Sequence, residues 1–171
     1  MSNKKKEIFV IIDGSSYLYR AFYALPHLKN NSGSHTGAIF GVTNMINKLL
    51  DDLSPEYICV VFDARGKNFR HRLYKEYKSN RKSMPEELSG QVEPIFDFLK
   101  YMGIQIIQQP DVEADDVIAS LVNKFSSNTK TLISSGDKDL AQLVDDNVEL
   151  INSLDGKQLN KASVKKKFGV T

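Results

Sequence analysis

Cysteine is almost absent from this sequence. Cys59 is the only one among 171 residues, so no disulfide can form within the chain. Cys59 lies in the apolar run Tyr57–Phe62, which favours a buried small side chain over a reactive thiol. No apolar stretch approaches the roughly 20 residues that a membrane-spanning helix needs. The first apolar run stops at Asp13, too early for a signal-peptide core, so we expect a cytoplasmic protein without membrane contact.

Histidine is scarce as well, and familiar cofactor and nucleophile motifs are missing. The three histidines, His27, His35 and His71, have neither the spacing nor the neighbours of a metal site. The sequence contains no P-loop, and no Ser-His-Asp or Cys-His pattern supports covalent catalysis. The net charge is only +2, so any affinity for nucleic acid has to come from local clusters of cations.

Short apolar runs alternate with helical patterns along the chain. Strands are predicted at Glu7–Asp13, Tyr57–Asp63, Ile104–Gln108, Thr131–Ser134 and Val148–Ile151. Helices are predicted at Ser15–Ala24, Gly37–Leu53, Glu86–Met102, Ala114–Phe125 and Lys138–Val144. This alternation indicates one α/β domain over residues 1–171, with a parallel sheet covered by helices on both faces. The last stretch, Asp155–Thr171, holds a turn and a basic run without a predicted closing element, and we expect the chain to be part of something longer.

Carboxylates follow four successive predicted strands. The carboxyl ends of parallel strands meet at one edge of a sheet, where ligands bind. The acids at these positions are Asp13, Asp63, Glu113, Asp115, Asp116, Asp137 and Asp139. Like charges so close together need a compensating cation, and oxygen ligands without His or Cys favour Mg²⁺ or Mn²⁺. The sequence therefore predicts a metal site, in which two ions about 3.5–4 Å apart can act on a phosphodiester.

Each acid taken alone also has a structural explanation. Asp13 precedes a Gly-Ser-Ser sequence and is a candidate helix N-cap. Asp115 and Asp116 begin a predicted helix, where acids interact favourably with the helix dipole, and Glu113 with Asp116 could stabilise the first turn of that helix. The repetition at four strand ends favours the metal site over these separate explanations.

A basic and aromatic segment, Arg65–Lys82, follows the second strand. It contains eight Lys or Arg and one acid, with aromatic residues interleaved. On a helix, one face would carry Arg70, Tyr74, Tyr77, Lys78 and Arg81. Clustered cations bind phosphates and aromatic rings can stack on bases, so we expect this segment to cover the acidic edge and bind nucleic acid. A solvated surface helix is the alternative.

Several motifs resemble the 5′-nuclease domains of bacterial DNA polymerase I. They are VIIDGSSYLYRAFYALP, TGAIFGVTNMI, VVFDARGKNFRHRLYKEYKSNR, VEADDVIASL and SSGDKDLAQLV, and the similarity runs from about Ile8 to the end of the chain. VEADD and GDKD are specific to the 5′-nuclease superfamily, which includes flap endonucleases. The resemblance implies a PIN-like α/β fold with a basic helical arch. It also implies 5′→3′ exonuclease and flap endonuclease activity on 5′ flaps and RNA primers in DNA replication and repair.

The resemblance also implies roles for individual residues. The tighter metal site would be formed by Asp13, Asp63, Glu113, Asp115 and Asp116, and a second by Asp137 and Asp139. The scissile phosphate would be gripped by Lys78 and Arg81 at the base of the arch. Other DNA contacts would come from Arg20 and Arg70, with Tyr77 stacking on a base. Such an arch accepts only a strand with a free 5′ end, which gives selectivity for structure without base readout.

Members of that family continue beyond the position of Thr171 with two further metal-binding aspartates, a helix–hairpin–helix element and, in the polymerases, a polymerase domain in the same chain. We therefore expect these 171 residues to fold and to bind one Mg²⁺ or Mn²⁺ ion, with weak cleavage or none. Three alternatives remain: a PIN-type ribonuclease, a phospho-acceptor signalling domain and a non-catalytic DNA-binding module. The long basic segment argues against the first, and Asp13 without an adjacent acid argues against the second.

Overall fold

A six-stranded sheet forms the centre of the fold in a computed structural model, which describes residues 6–80, 82–153 and 155–169. Its strands are β1 Ile8–Asp13, β2 Tyr57–Val61, β3 Gln105–Ile107, β4 Lys130–Ser135, β5 Val148–Asn152 and β6 Gln158–Leu159. They lie in the order β3-β2-β1-β4-β5-β6. The first five run parallel, and β6 pairs with β5 in the antiparallel direction. Across the central strand β1, the carboxyl ends of β2 and β4 therefore lie on the same edge.

Helices cover both faces of the sheet, as the sequence predicts. They are α1 Gly14–Ala24, α2 Gly37–Leu53, α3 Phe69–Leu73, α4 Glu86–Tyr101, α5 Ala114–Phe125 and α6 Lys161–Phe168, with a 3₁₀ helix at Lys138–Leu143. Alternate residues of β1 face opposite layers of the core. Val10 and Ile12 pack with α1, α2 and α4, whereas Phe9 and Ile11 pack with α5 and the 3₁₀ helix. No helix in the described ranges is both long enough and apolar enough to cross a membrane.

The N-terminus of α2 is capped by a residue from another helix. Its own N-cap residue, Thr36, makes no side-chain hydrogen bond to the helix. Instead the buried Gln91 of α4 accepts hydrogen bonds through Oε1 from the backbone N–H groups of Ala38 (2.8 Å) and Ile39 (3.2 Å). Its Nε2 donates to the Glu87 carbonyl at 2.8 Å, which fixes the amide orientation. Gln91 thus satisfies donors that a helix start leaves unpaired.

The basic segment departs from the sequence-based prediction. A helix carrying Arg70 to Arg81 on one face is wrong for the described residues, because α3 ends at Leu73. Tyr74 is extended (φ −140°, ψ 108°), residues 75–80 form turns, and Lys78 has a positive φ of 53°. Arg81 lies outside the described residues.

The end of the chain also differs from the prediction. The sequence gives no closing element after the Asp155–Gly156 turn, yet β6 adds to the sheet edge and α6 follows it. The helix begins with an N-cap at Asn160, whose side chain accepts from the Ser163 N–H at 3.0 Å. Its last residue, Phe168, is followed by the C-cap residue Gly169, which has a positive φ of 72°. This Asn-x-x-Ser start and glycine end are local signals of a helix, but α6 buries none of its residues.

Candidate active site

A cavity of about 660 Å³ lies at the carboxyl edge of the sheet. Five of the seven predicted acids line it: Asp13, Asp63, Glu113, Asp115 and Asp137. Three lysines, Lys78, Lys82 and Lys138, stand at the same cavity. The strand ends of β1 and β4 and the start of α5 therefore bring acids and cations together, as the positions of the acids in the sequence predict.

Asp13 is both a helix cap and part of this site. Its carboxylate is buried, and its Oδ1 accepts from the Ser16 N–H at 2.9 Å, which caps α1. The Ser135 hydroxyl donates to its Oδ2 at 2.6 Å. Burial raises the pKa of Asp13, and repulsion from Asp63 and Asp137 adds to the rise, while the two hydrogen bonds oppose it. The capping explanation and the site explanation are thus compatible.

The other carboxylates at the cavity repel one another. Partial desolvation raises the pKa of Asp115 to about 6, and the charges of Asp13, Asp137 and Asp63 contribute in that order. Asp63 is held by the Ala114 N–H at 2.9 Å on one oxygen and by the Ser15 hydroxyl at 2.9 Å on the other. The cavity therefore concentrates negative charge around Asp115, and a bound cation would relieve it.

Glu113 is held by three side chains of the basic segment. Lys78 Nζ and Asn68 Nδ2 donate to its Oε1 at 2.7 and 2.9 Å, and the Tyr77 hydroxyl donates to its Oε2 at 2.9 Å. Desolvation alone would raise the pKa of Glu113, but the hydrogen bonds from Lys78 and Tyr77 hold it below its usual value. Glu113 is thus kept ionised at the wall of the cavity.

Two of the seven acids do not line the cavity. Asp116 forms a two-pronged ion pair with Arg70, whose nitrogens lie 2.6 and 2.7 Å from its two oxygens, and this pairing lowers the pKa of Asp116. Asp139 is exposed and lines a separate cavity beside Val164 and Phe168 of α6. The expectation that all seven acids converge therefore fails in this structure at Asp116 and Asp139.

The predicted phosphate-binding cations are divided between two places. Lys78 lies at the acidic cavity, whereas Arg70 is directed at Asp116 beside it. Arg20 lines a different cavity of about 450 Å³ between α1, α2 and the β5–β6 hairpin, where it donates to the Ser153 hydroxyl at 3.2 Å. Arg20 is therefore not brought together with the acids in this structure.

Several residues of the cavity were not predicted from the sequence. Ser15, Ser16 and Tyr19 line it from α1, and Lys82 and Lys138 line it from the segments after β2 and β4. A signal for Ser15 and Ser16 was available, because they directly follow the predicted ligand Asp13, and Tyr19 lies one helical turn after Ser15. Asn68 gave no recognisable signal, since its contact with Glu113 joins residues 45 apart in the sequence.

The donor chemistry of the cavity fits a hard divalent cation. Its ligands would be carboxylate and hydroxyl oxygens, which suit Mg²⁺ or Mn²⁺, and neither Cys nor His lines it. Within the described parts of the chain, no three acidic, histidine or cysteine side chains are already arranged as a metal-binding group. Lys78 and Arg70 instead supply positive charge to Glu113 and Asp116. The residues present thus fit such an ion by their chemistry.

The chain matches a known protein family and several curated proteins. The family described as the 5′-3′ exonuclease N-terminal, resolvase-like domain matches residues 8–169. The DNA polymerase I of Pseudomonas aeruginosa is 47% identical over 162 residues, covering 94% of this chain and 18% of the polymerase. A 5′-3′ exonuclease of Buchnera aphidicola (subspecies Baizongia pistaciae) is 43% identical over 168 residues, covering 98% of this chain and 56% of the exonuclease. This chain thus spans only part of both relatives.

The fold is shared with solved nuclease structures. A flap endonuclease of bacteriophage T5, solved with DNA and metal ions, matches 95% of this chain and 61% of its own length with a TM-score of 0.69. The two sequences are 22% identical, so this likeness concerns the fold alone. It agrees with the α/β architecture and the largely parallel sheet described above.

Proposed function

Because this chain belongs to the family of N-terminal, resolvase-like domains of 5′-3′ exonucleases, we propose that it hydrolyses phosphodiester bonds near the 5′ ends of DNA strands with divalent metal ions. The observation that carries the proposal is the group of carboxylates around Asp115. The pKa of Asp115 is raised to about 6, because its carboxylate is partly desolvated and lies among other negative charges in a cavity that is open to a substrate. Such crowding is unfavourable without a cation and is common in catalytic sites.

The residues that would hold a first metal ion are Asp13, Asp63, Glu113, Asp115 and Asp116, and Asp137 with Asp139 would serve a second. When bound, the ions would supply charge neutralisation at the scissile phosphate and would lower the pKa of an attacking water. Asp116 can take part only if Arg70 releases it. Asp139 would have to turn from its exposed position toward the cavity.

The chain's own cations would bind and orient the substrate. Lys78 and Lys82 face the acidic cavity, where a phosphate could replace Glu113 as the partner of Lys78. In this state of the chain, Lys78 neutralises Glu113, which keeps an acidic cavity from repelling DNA as strongly. We propose that Arg81 acts beside Lys78 on the scissile phosphate, that Arg20 and Arg70 bind phosphates further away, and that Tyr77 stacks on a base.

The substrate class follows from the relatives and is part of the proposal. One relative is a 5′-3′ exonuclease, and the structural neighbour is a flap endonuclease. The substrates would be 5′ flaps and displaced RNA primers in replication and repair. A polymerase domain in the same full-length chain, as in the Pseudomonas relative, would be the natural partner.

A non-catalytic DNA-binding role is the second candidate. One observation favours it. Lys78 forms an ion pair with Glu113, and Arg70 forms one with Asp116, so two of the proposed metal ligands already have cationic partners. It is also consistent with the 56% share of the Buchnera exonuclease that this chain spans, because further ligands could lie in the remainder. In that case these residues would bind DNA but would not cleave it efficiently.

The experiment that tests the proposal is cleavage of a 5′-labelled flap duplex with Mn²⁺. It compares this chain, its Asp115→Asn variant and the longer Buchnera exonuclease, and calorimetry measures Mn²⁺ binding in parallel. We expect this chain to bind Mn²⁺ and to cut more slowly than the longer relative, with both properties lost in Asp115→Asn. Cleavage of single-stranded RNA in preference to the flap would support a ribonuclease instead. Absence of Mn²⁺ binding would refute the metal site.

A further inference from the structure

A buried amide outside the predicted site faces one of its carboxylates. Asn68 is only 8% exposed, and its Nδ2 donates to Glu113 Oε1 at 2.9 Å. Asn68 does not line the acidic cavity itself but an adjoining cavity, which it shares with Asp63, Lys78 and Glu113. Buried amides are normally hydrogen-bonded, and the Asn68 NH₂ group directs one of its two donors at this carboxylate.

The orientation of this amide is set by the start of α3. The Asn68 Oδ1 accepts from the His71 N–H at 3.3 Å, and the Asn68 N–H donates to His71 Nδ1 at 3.2 Å, which together form a capping box. The next residue, Phe69, donates its N–H to the Asp111 carbonyl at 3.0 Å, two residues before Glu113. Oδ1 thus faces the start of the helix, where His71 Nδ1 also lies 2.6 Å from it, and Nδ2 faces Glu113.

The other two donors to Glu113 belong to the segment that is proposed to bind DNA. Lys78 and Tyr77 lie in the turns at residues 75–80, and Lys78 has a long, flexible side chain with a charge that a phosphate attracts. Both residues belong to the group that the proposed function assigns to DNA contact. When DNA draws them away, the hydrogen bond from Asn68 would remain, because it depends on the cap of α3 and not on the substrate.

We propose that Asn68 is a positioning residue, which keeps the Glu113 carboxylate at the wall of the acidic cavity while Lys78 and Tyr77 exchange it for DNA. This inference rests on the proposed function, since it assigns Glu113 to the metal site. Hydrogen bonds to metal-binding carboxylates orient the ligand, and losing one typically costs about 10–100-fold in metal affinity or activity.

The test uses substitutions that keep the cap of α3 but remove the donor. Asn68→Ser retains a capping oxygen and has no amide to reach Glu113. The matched control is Asn160→Ser, the same change at the N-cap of α6, where the side chain bonds only to Ser163. Calorimetry measures Mn²⁺ affinity, thermal unfolding without metal measures stability, and flap cleavage gives kcat and KM separately.

We expect Asn68→Ser to lower Mn²⁺ affinity and kcat by about tenfold while the KM for flap DNA and the metal-free melting temperature stay close to those of Asn160→Ser. Asn68→Asp, which caps a helix as well as Asn, serves if the serine variant does not fold, and it should lose kcat without a change in KM. Mn²⁺ affinity and kcat like those of the unmodified chain in a folded Asn68 variant would overturn the inference and leave the proposed function intact. Failure of the unmodified chain to bind Mn²⁺ would refute both.

Discussion

At the scale of the residue, the pKa of Asp115 shows how strongly neighbouring groups affect a single carboxylate. It lies at the second position of α5, where helix dipoles favour a negative charge, yet its pKa is raised to about 6. Partial desolvation and the charges of Asp13, Asp137 and Asp63 outweigh the dipole. A local explanation of this acid as a favourable helix start is therefore insufficient.

Replacing Asp115 should stabilise the metal-free protein in a pH-dependent way. Because the folded-state pKa of about 6 exceeds the ordinary value of 3.8, ionisation penalises the folded state. The penalty is absent below about pH 4, grows between the two pKa values and is complete above the higher one. After allowance for solvent screening, Asp115→Asn should raise the free energy of unfolding by about 1 kcal/mol at pH 7.5.

Urea unfolding in EDTA at pH 7.5 and at lower pH measures this difference. The stabilisation should shrink as the pH falls toward 4, because both proteins then lack the charge. Asp51→Asn, an exposed acid on α2, is the control and should show no such trend. A less stable Asp115→Asn at pH 7.5 would contradict the electrostatic account of the cavity.

At the scale of the element, α2 and α4 show what sequence periodicity captures and what it misses. The apolar pattern predicts α2 at Gly37–Leu53 with the bounds that the structure shows, because an amphipathic stripe is a local property. The cap of α2 is not local. In the sequence, nothing distinguishes Gln91 from any other polar residue of a helix. Only the packing of α4 against α2 brings its side chain to the Ala38 and Ile39 N–H groups.

Gln91→Leu should destabilise the protein by about 2–3 kcal/mol, because the buried Ala38 N–H would lose its acceptor, which typically costs about 1–3 kcal/mol, and the half-buried Ile39 N–H would lose it too at a smaller cost. Chemical denaturation gives the free energy of unfolding. Gln105→Leu is the matched control, since Gln105 is exposed on β3 and bonds only to a neighbouring carbonyl. Equal effects of the two substitutions would show that Gln91 does not cap α2.

Two helical glycines should respond to alanine with opposite signs. At Gly41 in α2, a Cβ atom would lie 2.6 Å from the Ala21 Cβ, so Gly41→Ala must push α1 and α2 apart and should cost about 1–3 kcal/mol. At Gly90 in α4, no atom lies within 4 Å of the added Cβ. Gly90→Ala should therefore stabilise the protein by up to about 1 kcal/mol through helix propensity. Thermal unfolding of both variants decides this, and a stabilised Gly41→Ala would show that the helices can separate freely.

At the scale of the whole molecule, the fold places charges of both signs around one cavity. The acids come from the carboxyl edge of the sheet, and the lysines come from the segments that leave β2 and β4. A metal ion held there would bind the folded chain alone, because the unfolded chain scatters these residues over more than a hundred positions. Metal binding and global stability should therefore be linked.

Addition of Mn²⁺ should raise the melting temperature of this chain in a concentration-dependent manner. Binding adds about 2.7 kcal/mol to the stability when the free ion is at 100 times its dissociation constant. EDTA should reverse the effect, and Asp115→Asn should abolish it, whereas Asp51→Asn should leave it unchanged. A melting temperature that rises equally in Asp115→Asn would place metal binding elsewhere.

The sequence by itself determined the parallel sheet, the helices on its two faces and the positions of acids at the strand ends, because these depend on periodicity and on neighbours along the chain. Only the tertiary structure decided which acids meet. Asp116 lies one residue from Asp115, but Arg70, 46 positions away, holds it beside the cavity. Tertiary contacts also determined the short length of α3 and the hydrogen bond from Asn68 to Glu113. Contacts between distant residues depend on the length of each side chain and on which hydrogen-bonding partners compete for it. The local sequence pattern predicts neither of these.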